Sequence, residues 1–255
     1  VNLLLLEPGE LSADGEARLG GRRARHVREV LGCATGDRIA VGLVGGRMGE
    51  AEVLSAGEAE LVLRAVLDRP PPPPSPVSLL LALPRPKILR KVLQATAAMG
   101  VKRLVLLGSY RVEKSYWGSP VLAAGAVRQE LLLGLEQGKD TALPEVVVRR
   151  FFKPFVEDEL DALLPGARLL ADPRAPGPLE ALAAPAGGVT VAIGPEGGWT
   201  AYEAAELERR GFAPFSLGSR PLRVDQAVPF VAGQAELWLR ARAAAALTAP
   251  AAGAP

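Results

Sequence analysis

The sequence predicts an α/β protein in which a small β-rich unit precedes a larger unit built on a parallel sheet. Three observations carry this. The run Pro70 to Pro74, followed by Ser75-Pro76, divides the chain, because consecutive prolines stay extended and cannot enter a sheet interior. Before it lie short β-like segments separated by glycines. After it, apolar strand candidates alternate with helical patterns, the mark of a parallel sheet covered on both faces by helices. With 255 residues, 49% of them hydrophobic, the chain is long enough to build both units. The expected division is 1–69 for the small β unit, 70–76 for the linker, 77–247 for the α/β unit and 248–255 for a tail.

In the first unit, Arg22 to Leu31 reads as a helix ended by Gly32. Arg38-Ile39-Ala40-Val41, Ala51 to Leu54 and Glu60 to Val66 read as strands, punctuated by Gly36, Gly42, Gly45-Gly46 and Gly57. In the second unit the strand candidates are Val77 to Leu83, Val101 to Leu107, Glu145 to Val148, Ala167 to Ala171 and Val189 to Ile193. Ile88, Leu89, Val92, Leu93 and Met99 share one face of a helix stopped by Gly100. Ser119-Pro120 offers an N-cap and first-turn pair for a helix running towards Gln137. Thr200 to Glu203 is a capping box, with Gly211 as the matching stop. A closing helix is expected over Gln226 to Leu247, with Pro229 in its first turn.

Composition narrows the function. The longest apolar runs, Leu3 to Leu6 and Leu79 to Leu83, fall far short of the roughly 20 residues of a membrane span. The start lacks the pattern of an export signal. One cysteine, Cys33, leaves no internal disulfide and suits a reducing cytoplasm. One Cys and one His make a dedicated zinc site unexpected, so no metal is expected. The 30 basic and 28 acidic residues nearly cancel, so local charge matters more than the net +2.

Two segments sit where chemistry is expected. Ile193-Gly194-Pro195-Glu196-Gly197-Gly198-Trp199 joins the most apolar strand to the helix that starts near Thr200. In an open α/β sheet, ligands bind at the carboxyl ends of strands, where glycines allow close approach to the backbone. The spacing is neither the dinucleotide fingerprint nor a phosphate-binding loop. By itself it fits a tight turn with Glu196 in water as well as it fits a ligand site. In the second segment, Ser216 to Ala227, a short strand stops at Gly218 and a polar loop precedes the closing helix, and its Arg223, Asp225 and Gln226 read more readily as caps and surface charge than as a site.

Taken together, Gly194-Pro195-Glu196-Gly197-Gly198, Leu217-Gly218 and Leu222-Arg223 resemble the signature of RsmE-type methyltransferases of the SPOUT class. In that family an Ile-Gly-Pro-Glu-Gly-Gly turn precedes a Leu-Gly-x-x-Ile-Leu-Arg-Thr-Glu-Thr-Ala stretch. The likeness extends to Arg25-His26-Val27-Arg28-Glu29-Val30-Leu31, Gly36-Asp37, Met99-Gly100-Val101 and Glu136-Gln137 before Pro144. It implies a PUA-like β-barrel followed by a knotted parallel-sheet domain, a homodimer, and S-adenosylmethionine as cofactor. It also implies methylation of uridine N3 in 16S ribosomal RNA, so ribosomal RNA or the small subunit is the expected partner. Ile193, Gly194, Glu196, Gly197, Gly198, Leu217, Gly218 and Leu222 would cradle the cofactor, while Arg223, Asp225 and Gln226 would serve catalysis.

The chain departs from that pattern where Thr-Glu-Thr usually follows Leu-Arg, carrying Val224, Asp225 and Gln226 instead. Ala95, Ala98 and Asp140 also stand where the family commonly has charges of other kinds. The shorter acid at 225 retracts its carboxylate by about 1 Å, a distance that matters for alignment. A different substrate on the same fold, or an RNA-binding protein without turnover, therefore stays in view. Arg18, Arg22, Arg23, Arg25, His26 and Arg28 form the densest basic cluster, readable as a solvated helix face or as a phosphate-binding surface. Arg111 and Lys114, followed by Tyr116 and Trp117, make a second candidate RNA surface whose rings could stack or pack.

Overall fold

Alternation of buried and exposed residues builds the first sheet. In the computed structural model, which describes residues 2–58 and 60–248 with side chains as far as Arg242, five strands run in the order β1-β3-β4-β5-β2. They are β1 (Leu4–Leu6), β2 (Glu16–Gly20), β3 (Arg38–Leu43), β4 (Met48–Ala56) and β5 (Glu60–Arg69). Ala51 and Val53 of β4 are buried with Leu61, Leu63 and Ala65 of β5, and the helix α1 (Gly21–Glu29) adds Ala24 and Val27 to the same core. β1 and β2 were not foreseen as strands, because three- and five-residue segments give too few periods to read.

β1 also joins the two units. Its period of two sends Leu4 and Leu6 into the small core, while Leu3 and Leu5 enter the large one with Val44. Around this seam, Arg128 makes a bidentate pair with Glu7 at 2.8 and 2.7 Å. The Thr141 hydroxyl donates to the Gly46 carbonyl at 2.6 Å, and the Gly45 N–H donates back to the Thr141 carbonyl at 2.8 Å. The first unit is therefore bolted to the second by shared core as well as by polar contacts.

The second sheet is wholly parallel, in the order β11-β9-β10-β6-β7-β8. Its strands are β6 (Val77–Ala82), β7 (Arg103–Leu107), β8 (Glu145–Arg149), β9 (Ala167–Ala171), β10 (Val189–Ile193) and β11 (Phe212–Phe215). All five residues of β10 are buried, as a central strand covered on both faces requires. The α/β class with a parallel-sheet domain is thus as expected.

The helices are α2 (Pro86–Ala98), α3 (Ala124–Gly138), an irregular run of α4 (Phe152–Pro154), a π turn (Phe155–Glu159) and α5 (Leu160–Leu163), then α6 (Ala201–Arg209) and α7 (Val224–Thr248). α2 and α3 cross so closely that a Cβ on Gly134 would lie 2.2 Å from the Gln94 carbonyl oxygen. The Thr200–Glu203 capping box forms, with Glu203 Oε2 accepting from the Thr200 N–H at 2.9 Å.

Two local expectations are corrected. Ser119 caps a short 3-10 turn (Pro120–Leu122), and the extended Ala123 separates it from α3, so that helix starts without a side-chain cap. Pro229 lies in the second turn of α7, which begins at Val224, so the Asp225 carbonyl loses the N–H it would otherwise receive. The tail expected at 248–255 falls, beyond Thr248, outside the described residues.

Candidate functional site

The carboxyl ends of β9 and β10, neighbours in the sheet, open into a cavity of about 340 Å³. One wall is Ile193 to Trp199, the turn after β10. The facing wall is Leu217, Gly218 and Arg220 to Leu222, from the loop after β11, with Val224 and Ala227 from α7. Ile193, Gly194, Glu196, Gly197, Gly198, Leu217, Gly218 and Leu222 thus come together around one space, although the two segments lie some twenty residues apart in sequence.

The glycines in this turn have steric reasons. A Cβ on Gly194 would meet the Trp199 backbone nitrogen at 3.0 Å and its indole nitrogen at 3.2 Å. Gly198 and Gly218 hold φ of 71° and 105°, a region L side chains rarely adopt. The Gly198 N–H closes the turn onto the Pro195 carbonyl at 2.7 Å. Glu196 is not simply solvated, since its Oε1 accepts from the Arg85 N–H at 3.3 Å and ties the turn to the start of α2. Trp199 is only 2% exposed, and its indole Nε1 is buried without a hydrogen-bond partner. An orphaned donor in a ligand-sized cavity is what a bound acceptor would satisfy.

Several functional candidates escaped the sequence reading. Asp172 and Arg174 follow β9 and line the same cavity. Arg174 holds the Asp172 carboxylate at 3.0 and 2.7 Å, and this hydrogen-bonded pairing keeps the carboxyl below its usual pKa despite burial. Their signal was positional, a polar Asp-Pro-Arg immediately after an apolar strand. Arg111, expected at an RNA surface, also lines the cavity, and its Nη1 donates to the Gly197 carbonyl.

Arg223, Asp225 and Gln226 flank the cavity without forming its lining. The Asp225 side chain is 6% exposed and accepts from Lys91 Nζ at 3.1 Å, which holds its carboxyl below the usual aspartate range against the opposing effect of burial. Its second oxygen, Oδ1, is buried without a hydrogen bond, and Arg223 Nε stands 3.7 Å from it. Arg223 is 70% exposed in its side chain and Gln226 is exposed.

The basic cluster on α1 divides. Arg23 donates to both carboxylate oxygens of Glu10 and to the Leu5 carbonyl, so it is an internal tie, contrary to its expected place on an open phosphate-binding face. Arg22 stands 3.4 Å from Glu136, while Arg25 is exposed with no ion pair or hydrogen bond among the described residues. His26 is half-buried, and that burial depresses its pKa. Lys114 is exposed, while Tyr116 and Trp117 are half-buried and pack against the large core. Among the described residues no group of three or more His, Cys, Asp or Glu is placed to hold a metal, and no helix is long and apolar enough to cross a membrane.

Residues 71–236, which contain the parallel sheet and both walls of the cavity, match the family model described as RNA methyltransferase domain. The chain belongs to this RNA methyltransferase family. Ribosomal RNA small subunit methyltransferase E of Treponema pallidum is 29% identical over 250 residues, spanning 94% of each chain. The RsmE-type resemblance therefore runs through the whole chain and not only through the two glycine-containing segments. A Legionella pneumophila protein solved with the cofactor SAM superposes with a TM-score of 0.73 at 22% identity, over 92% of this chain and 97% of that one. Ribosomal RNA small subunit methyltransferase E of Neisseria gonorrhoeae, solved bound to S-adenosyl methionine, gives 0.71 at 20%, over the same shares. These two share the fold with this RNA methyltransferase family member.

Proposed function

We propose that the protein is an S-adenosylmethionine-dependent RNA methyltransferase acting on N3 of a uridine in 16S ribosomal RNA. The observation that carries the reading is the single cavity lined by Ile193 to Trp199 and by Leu217 to Leu222, with the unpaired Trp199 indole N–H beside it. The two superposable relatives solved with this cofactor, and the family membership, support it. S-adenosylmethionine supplies a sulfonium-activated methyl group, so the protein's task is alignment and management of the N3 proton. Ile193, Gly194, Gly197 and Gly198 would hold the cofactor on one side, and Leu217, Gly218 and Leu222 on the other. Glu196 fixes the turn, and Arg111 braces its Gly197 carbonyl.

Arg223, exposed beside the cavity wall, would neutralise the negative charge that develops on the uracil oxygen as N3 loses its proton. The pairing of Asp225 with Lys91 supports an orienting role for this carboxylate, because a carboxyl so stabilised in its charged form is a weak proton acceptor. Gln226 is a hydrogen-bonding neighbour on the exposed side of the α7 start. We read residues 1–69 as a PUA-like barrel presenting Arg22, Arg25 and His26 to RNA, residues 70–76 as the linker, and 77–247 as the SPOUT domain. Within it, the C-terminal part would be threaded as the family's trefoil knot. The exposed Phe230 and Leu237 of α7 suit a subunit contact in a homodimer, and the reaction would take place in the cytoplasm. The same Lys91–Asp225 pair also favours one second reading, a methyltransferase of this fold with a different RNA nucleotide as target. Calorimetric titration with S-adenosylmethionine tests the cofactor assignment, and absence of heat together with an unshifted melting temperature would remove it.

A further inference from the structure

A groove of about 640 Å³ adjoins the cavity, formed where the chain leaves β7, where it leaves β8, and at the start of α6. We propose that this groove binds a single-stranded RNA segment next to the target nucleotide, with bases stacked on Tyr110, Phe151 and Tyr202 and a phosphate held by Arg150. The inference rests on the RNA reading above and names a binding subsite for it.

Among the described residues, three of the four exposed aromatic side chains gather here, at 87%, 68% and 53% exposure for Tyr110, Phe151 and Tyr202, the fourth being Phe230 on α7. Rings left in water around one groove supply flat faces for unpaired bases, a contact tolerant of sequence. The surrounding charge suits a nucleic acid. Arg150 is exposed and has no ion pair or hydrogen bond among the described residues, whereas Lys153 is shared with Glu157 at 3.7 Å. The carboxylate in the groove wall, Glu203, is only 3% exposed and is fully engaged, accepting from the Tyr110 N–H at 2.8 Å and from the Thr200 N–H and hydroxyl at 2.9 Å. The same bonds fix the Tyr110 loop to α6, so the platform exists before ligand arrives and less ordering is required on binding.

The groove and the proposed catalytic cavity share a wall. Phe152 in the groove wall packs on Trp199 in the cavity wall, with ring centroids 5.9 Å apart and a 54° tilt. Tyr110 directly precedes Arg111, whose guanidinium reaches the Gly197 carbonyl. A strand lying across the three rings would therefore run beside the cavity, along the wall the two spaces share.

Fluorescence anisotropy of a labelled single-stranded oligouridine with the full chain, in the presence of S-adenosylhomocysteine, tests the assignment. Phe151→Ala and Tyr202→Ala should each weaken binding about tenfold. Arg150→Ala should weaken it and lower the salt slope by about one. Calorimetric affinity for S-adenosylmethionine should be unchanged in all three. If the wild type binds the oligonucleotide and the variants bind it equally well, the groove assignment is overturned while the RNA reading stands. If the ring variants instead turn a dimer into a monomer by light scattering, the groove is a contact between copies and the proposal fails. A wild type that takes up S-adenosylmethionine but binds neither oligouridine nor ribosomal RNA would overturn both.

Discussion

Lys91 Nζ lies 3.1 Å from Asp225 Oδ2, joining the first helix of the parallel-sheet unit to the start of the last one. The pair sits beside the loop that lines the cavity, and Asp225 offers its other oxygen to Arg223 at 3.7 Å. Because Lys91 lowers the folded-state pKa of Asp225 below its unfolded value near 4, the pair stabilises the fold above about pH 4. That contribution fades as pH falls through the lowered folded value. Lys91 is more than half exposed, so its worth is about 1 kcal/mol or less. Asp225→Asn should therefore unfold at slightly lower denaturant than wild type at neutral pH, and the difference should shrink in acid. A difference that grows in acid would contradict the pairing.

In turnover, Asp225→Asn and Arg223→Ala should separate from cofactor binding. With the proposed roles in alignment and charge at the acceptor, both should keep S-adenosylmethionine affinity within about threefold while losing on the order of tenfold or more in kcat. Loss of cofactor binding in both would make the loop a cofactor wall alone.

Gly194→Ala tests the cavity directly. The added methyl meets the Trp199 backbone nitrogen at 3.0 Å and its indole at 3.1 and 3.2 Å, so Trp199 must shift by a few tenths of an ångström in the cavity wall. Cofactor affinity should fall about tenfold or more, with unfolding free energy changed by about 1 kcal/mol. Gly134→Ala should do the reverse. Its Cβ would press on the Gln94 carbonyl where α2 and α3 cross, which should destabilise the fold by about 1–3 kcal/mol, while any surviving folded protein binds cofactor normally.

The α1 arginines should differ among themselves. Arg22→Ala and Arg25→Ala should each lower the salt slope of RNA binding by about one with little effect on melting. Arg23→Ala should lower the melting temperature, because it breaks the Glu10 pair that raises the Arg23 pKa and depresses that of Glu10.

The sequence revealed the parallel-sheet strands most accurately where they were both apolar and sharply punctuated. Ala167–Ala171 and Val189–Ile193 form over the expected residues, each preceded by glycine and followed by a turn. Leu3 to Leu6 announced burial but not that alternate leucines enter two cores, which depends on how the two units dock. The glycine turns around the cavity were readable because close approach and positive φ leave a residue-level signature. Asp172 and Arg174 were not, because their relevance comes from β9 lying beside β10, a sheet order that local pattern does not encode. Tyr110, Phe151 and Tyr202 were missed for the same reason. Two loops and the first turn of α6 bring them together, whereas the ring pair that looked promising, Tyr116 and Trp117, packs against the core.

Incorporation of labelled methyl into unmodified 16S ribosomal RNA, followed by nucleoside analysis, tests the proposed transfer from S-adenosylmethionine to uridine N3 most directly. Label is expected in N3-methyluridine, incorporated about tenfold or more slowly by Gly194→Ala at limiting cofactor and by Arg223→Ala. Label in any other nucleoside, or no transfer by a wild type that binds the cofactor, would contradict it.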